Sequence, residues 1–104
     1  MVRGISEKVT ISERDFREQI RHLCKVFGWK FYFTWLAIHS PKGFPDLVLR
    51  SVERKRIIFA ELKTEKGKVT PSQQEWHDDL IACGQEAYLW RPSDFDEIVE
   101  ILKR

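Results

Sequence analysis

Residues 56–63 read RIIFAELK, and this stretch decides the architecture. It is apolar on both faces from Ile57 to Ala60, the pattern of a central strand covered on both sides. Glu61 and Lys63 then break the run. They lie two residues apart and therefore share one face of the strand. Each feature alone is common, but charged groups ending the most apolar strand of a chain need a reason.

Outward toward the C-terminus, a charged loop containing Gly67 leads to a helix start. Thr70 is the N-cap, Pro71 takes the first helical position and Gln73 completes a capping box. Trp76, Leu80 and Cys83 supply the expected buried stripe before Gly84 ends the helix. Residues 87–90 return as a strand, and Ser93 caps a closing helix carrying Phe95, Ile98, Val99 and Leu102.

Outward toward the N-terminus, residues 46–50 form a short apolar strand, joined to the central one by a charged turn at residues 53–55. The HSPKGFP segment (residues 39–45) is a loop rich in helix and strand breakers. Before it, Trp29, Phe31, Phe33 and Trp35 alternate with Lys30, Tyr32 and Thr34, which is a strand period. The first helix has Ser12 as N-cap, Asp15 at its third position and Ile11 placed to staple against Phe16. Phe16, Ile20, Leu23, Cys24 and Phe27 then recur at helical spacing until Gly28. The order αβββαβα, with a three-strand meander and a fourth strand joined through a helix, predicts an α/β sandwich: a mixed four-stranded sheet flanked by helices.

At 104 residues the chain has room for a single core, which we place at residues 12–104 behind an N-terminal extension, residues 1–11. Hydrophobic residues make up 42% of it, with four Trp, seven Phe and two Tyr, so disorder is excluded as the overall state. No apolar run is long enough for a membrane span, and residues 1–10 have no signal-peptide pattern. Cys24 and Cys83 show neither CxxC nor paired Cys/His spacing, which argues against zinc and disulfides and makes a reducing cytoplasm the default. The net charge of +2 proves no partner, but its distribution is suggestive. Arg14, Arg17, Arg21 and Lys25 fall at helical spacing, and Lys63, Lys66 and Lys68 crowd one loop. Such clusters meet phosphate, or they are a solvated face with Arg14 and Glu18 paired at i,i+4.

Asp46 opens one strand and Glu61 closes the next, 15 residues on. If those strands pair as a hairpin, the two carboxylates meet at one end of the sheet. Converging carboxylates repel unless a cation sits between them. An all-oxygen donor set favours Mg²⁺ or Mn²⁺ over zinc. Such an ion beside Lys63 suffices for phosphodiester hydrolysis.

Taken together, GFPDLVL (residues 43–49), FAELKTEKGKVTPSQQEW (59–76) and YLWRPSDFDEI (88–98) resemble the VRR-NUC family of PD-(D/E)xK nucleases, particularly its small, phage-type stand-alone members. SERDF (12–16) and GWKFY (28–32) resemble that family's opening helix and first strand, so the likeness spans residues 12–102. It implies a restriction-endonuclease-like core and a structure-selective, metal-dependent DNA endonuclease, cytoplasmic in a bacterial or phage-infected cell. Asp46 and Glu61 become metal-binding acids, the Leu62 carbonyl a further ligand and Lys63 the catalytic lysine. Glu13 matches an acid of the first helix that joins the site directly or through water, with Glu18 as substitute. Gln73 matches a family glutamine, a role compatible with its capping box. Arg17 and Phe33 depart from the family pattern, which bears on substrate contacts rather than on cutting.

Junction-cutting relatives imply a homodimer acting on branched DNA, with apolar surface from Trp29, Trp35 or Leu36 as candidate interface, although a place in the core is the simpler reading of Trp29. A flap- or nick-directed nuclease and a non-catalytic DNA-binding module are the alternatives.

Overall fold

The computed structural model describes residues 10–34 and 39–104. Helix α1 (Glu13–Phe27) starts where Ser12 Oγ accepts the Asp15 N–H at 3.1 Å, and it ends on Gly28 in the left-handed region, φ 84°. Its buried residues, Phe16, Ile20, Leu23 and Cys24, are those of the helical stripe. Strands β1 (Lys30–Phe33), β2 (Leu47–Ser51) and β3 (Arg56–Leu62) form an antiparallel meander. Helix α2 (Pro71–Ala82) then carries the chain to β4 (Glu86–Trp90), which pairs parallel to β3. A 3₁₀ turn (Pro92–Asp94) leads into α3 (Phe95–Lys103), and the strand order is β1-β2-β3-β4. The predicted α/β sandwich and its connectivity are the observed ones.

One face of the sheet is buried by α1 and α3. Leu47, Leu49, Ile58, Ala60 and Leu62 alternate onto that face and meet Phe16, Ile20, Ile98, Ile101 and Leu102. Each large apolar side chain so enclosed contributes about 1.5–3 kcal/mol. Burial also pushes the Cys24 thiol up to about 12, so it stays protonated as a packing group.

Several expectations are corrected. Trp29 lies before β1 in the core, only 5% exposed, with its indole N–H donating to the Leu102 carbonyl at 2.8 Å. Its place in the core is the simpler of the two readings and leaves no interface there; Trp35 and Leu36 lie outside the described residues. β3 is covered fully on one face only, and Ile57 is 49% exposed. α2 has no fully buried residue: Trp76 and Leu80 are half-buried and Cys83 is exposed. The helix leans on β4 and on an aromatic cluster with one side rather than sinking into the core.

Ser93 does not cap α3. Its N–H donates to the Glu65 carboxylate, while Asp94 reaches back to the Arg91 N–H at 2.8 Å. Glu18 pairs with Arg21, at 3.3 Å, where Arg14 was expected.

Candidate functional site

The β2–β3 register sets Leu47 opposite Ala60, so the preceding Asp46 falls beside Glu61 at the end of the meander. Asp46 Oδ2 accepts the Leu62 N–H at 2.9 Å. The loop before Asp46 is held from two sides. The Thr34 N–H donates to the Asp46 carbonyl at 2.8 Å, and Thr34 Oγ1 lies 3.3 Å from the Pro45 carbonyl. Phe44 packs edge-on against Phe59 and Trp76, with ring centroids 6.2 and 5.1 Å away.

Gly43 makes this approach possible. Its φ is +97°, and a Cβ there would lie 2.5 Å from the Ser72 carbonyl oxygen at the start of α2. Gly43→Ala is expected to destabilise the fold by at least about 1–3 kcal/mol, read from the urea midpoint, because backbone rather than a flexible side chain must move. An unchanged midpoint would show that the loop is free to retreat from α2.

Glu61 is buried, as are few polar residues here. Its Oε2 accepts the Gln73 side-chain N–H at 2.9 Å and lies 4.0 Å from Lys63 Nζ. Its Oε1 is buried and has no hydrogen-bond partner among the described residues. Gln73 also closes the capping box, its Oε1 taking the Thr70 N–H at 2.9 Å and its own N–H donating to Thr70 Oγ1 at 3.2 Å. The same side chain thus caps α2 and fixes the rotamer of Glu61. Lys63 is half-buried, and its backbone N–H donates to the Trp90 carbonyl at 3.0 Å.

The electrostatics are those of crowded acids. Burial, then the Asp46 carboxylate, pushes Glu61 up to about 8 against the opposing pull of Lys63. Glu13 is also raised, by burial and then by Asp46, with Lys63 and Arg17 opposing. Glu13 of α1 therefore faces the same centre from across the sheet end. Among the described residues no three acidic, His or Cys side chains converge into a ligand set. Two carboxylates with an orphaned, buried oxygen fit a hard cation.

The predicted basic residues divide. Arg17 and Arg21 lie over the rings of Phe33 and Phe31, at 4.0 and 4.8 Å from the centroids, so both hold β1 as well as carrying charge. Arg14, Lys25, Lys66 and Lys68 are exposed. A groove of about 820 Å³ runs between Thr10, Ile11, Ser12 and Asp15 on one side and Thr64, Glu65, Lys66, Pro92 and Ser93 on the other. Asp46 and Glu61 are not among the residues that line it. Arg91, which the sequence reading passed over, donates to the carbonyls of Thr64, Glu65 and Gly67 at the border of this groove. Its only signal was its place between Trp90 and Pro92.

A mixed sheet flanked by helices, with two acids and a lysine gathered at one end, defines the restriction-endonuclease-like class. Two solved structures share the fold. One, described as a VRR-NUC domain, is 22% identical with a TM-score of 0.71, over 85% of this chain and 94% of its own. The other, a VRR-NUC domain protein, is 16% identical with a TM-score of 0.68, over 91% and 88%. No curated protein matches. The VRR-NUC domain family model matches residues 6–93, and the chain belongs to that family of nucleases. Among the described residues, no helix is long and apolar enough to cross a membrane.

Proposed function

We propose that this protein is a metal-dependent, structure-selective DNA endonuclease, acting as a homodimer on branched or junction DNA. The observation that supports it best is the pairing of Asp46 with a buried Glu61 whose Oε1 has no partner among the described residues, beside the Lys63 ammonium. Mg²⁺ or Mn²⁺ bound there would supply positive charge against the negative charge that builds on the phosphoryl group. Asp46, Glu61 and the Leu62 carbonyl are the groups that would hold it, with Glu13 acting through water. Lys63 places a second, fixed positive charge beside the scissile phosphate. Gln73 keeps Glu61 from rotating away. Arg14, Lys66 and Lys68 meet the flanking backbone, where each neutralised phosphate adds to affinity and to its salt dependence.

The test is cleavage, in Mg²⁺, of linear duplex, flap and four-way-junction DNA, together with a cruciform plasmid. A junction-cutting dimer, with one site on each chain, makes paired cuts and linearises the plasmid in one binding event. Accumulation of nicked circle first would point to a flap- or nick-directed enzyme instead. Binding without any cutting would replace the nuclease reading by that of a DNA-binding module.

A further inference from the structure

We propose that Arg91 is a positioning residue that holds the basic loop, residues 64–68, in the shape that meets the DNA backbone. This deepens the nuclease reading and rests on it for its DNA-binding arm. The Arg91 guanidinium donates to the Thr64 carbonyl at 2.6 Å, to that of Gly67 at 2.8 Å and to that of Glu65 at 3.2 Å. Three carbonyls of one short loop thus converge on a single cation, and charge-assisted bonds of this kind are about twice as strong as neutral ones. The loop is tied back twice more. The Gly67 N–H donates to the Thr64 carbonyl at 3.2 Å, and the Glu65 carboxylate accepts the Ser93 N–H. Arg91 is itself fixed by Asp94, which accepts its backbone N–H at 2.8 Å.

The segment so gripped carries Lys66 and Lys68, both exposed and neither in an ion pair among the described residues. It also forms one wall of the groove opposite Ser12 and Asp15. Gly67 packs beside the stem of Lys63, whose Cδ would lie 3.5 Å from a Cβ at that glycine. Lys63 itself, however, is anchored by the Trp90 carbonyl, independently of Arg91. The consequence is a division of labour. Arg91 governs how well the loop presents its two lysines to phosphates, and the strand governs where Lys63 stands. A purely structural role would lower both functions together.

The experiment uses the full chain and a double-mutant cycle. Arg91→Gln is expected to weaken affinity for four-way-junction DNA about three- to ten-fold by fluorescence anisotropy, while kcat at saturating DNA changes less than about two-fold. In a Lys66→Gln/Lys68→Gln background the same change is expected to cost nothing further. Hydrogen exchange at the amides of residues 65–68 should speed up about ten-fold or more in Arg91→Gln without DNA, and Arg91→Lys should restore part of the protection. Should Arg91→Gln fail to fold, Glu65→Ala cuts another tie of the same loop, the acceptor of the Ser93 N–H, and is expected to show the same non-additivity.

A full additive loss in the lysine-free background would overturn the proposal. So would a fall in kcat with unchanged KM, or unaltered exchange in the loop. If the wild type neither binds nor cuts DNA, the nuclease reading falls instead, and the exchange result alone decides whether Arg91 holds the loop.

Discussion

Glu61→Gln is expected to abolish divalent-ion binding and DNA cleavage together, and yet to raise the thermal stability of the metal-free protein. Both effects follow from one side chain. Glu61 is 5% exposed, faces Asp46 and has an oxygen without a partner among the described residues, so its charged form is costly unless a cation is present. Gln keeps the shape and removes the charge, which relieves the apo fold and deprives the ion of a ligand.

The pH dependence follows from the same side chain. In the folded chain Glu61 holds its proton up to about 8, against an ordinary value of 4.5. Between those two values the folded state binds more protons than the unfolded one. The contribution of Glu61 to the stability of the metal-free wild type is therefore full below pH 4.5 and is lost as pH rises through about 8. Glu13, also raised, acts in the same direction. Glu86 is lowered: its burial is outweighed by hydrogen bonds from Arg56 and Tyr88, so its contribution is lost only on acidification below the ordinary range.

Calorimetric unfolding in EDTA at pH 5 and pH 8 should show this slope in the wild type and a much weaker one in Glu61→Gln. Mg²⁺ should flatten it in the wild type, and titration calorimetry should find no ion binding in the variant. EDTA should also abolish cleavage by the wild type. A variant that still binds Mg²⁺ with wild-type affinity, or full cleavage by a metal-stripped enzyme, would remove Glu61 from the ligand set.

Much of this centre was legible because its residues lie on elements with strong local signals. The register that joins Asp46 to Glu61 follows from strand alternation and a short charged turn. The Thr70–Gln73 box follows from residue types at fixed offsets. What the sequence hides is whatever depends on tertiary approach. Gly43 reads as one breaker among several until α2 is seen 2.5 Å from its absent Cβ. The β1 alternation places Trp29 in the core with Phe31 and Phe33, but nothing in it announces the indole hydrogen bond to the Leu102 carbonyl. α2 looked amphipathic at Trp76, Leu80 and Cys83, yet it packs by one side on β4 and on Phe44, so Cys83 ends exposed. The Arg91 guanidinium bonds to carbonyls of a distant loop, a contact with no composition signature. Arg17 and Arg21 counted as phosphate binders in one dimension, while in three they also stack on Phe33 and Phe31.

Lys63→Ala is expected to reduce cleavage by about 10²–10⁴-fold while leaving DNA affinity within about three-fold. The ammonium stands 4.0 Å from Glu61 Oε2 on a strand end whose backbone is tied to Trp90, so its charge is fixed where negative charge would develop. One such charge is a small share of the proposed contact surface, which includes Arg14, Lys66 and Lys68. Lys63→Arg should restore little, because a planar guanidinium cannot occupy the space of a compact ammonium between Glu61 and Gly67.

Affinity is best measured by anisotropy in Ca²⁺, expected to bind without supporting turnover, and chemistry by single-turnover cleavage in Mg²⁺. One confounding effect can be removed. Lys63 lowers the Glu61 pKa, so its loss raises that pKa further and weakens metal binding near neutral pH. At higher pH, with saturating Mg²⁺, Glu61 is ionised in both proteins. A defect that persists there belongs to Lys63 itself. A defect that disappears would show that Lys63 serves only to keep Glu61 charged, and a loss of affinity as large as the loss of cleavage would make it a binding residue.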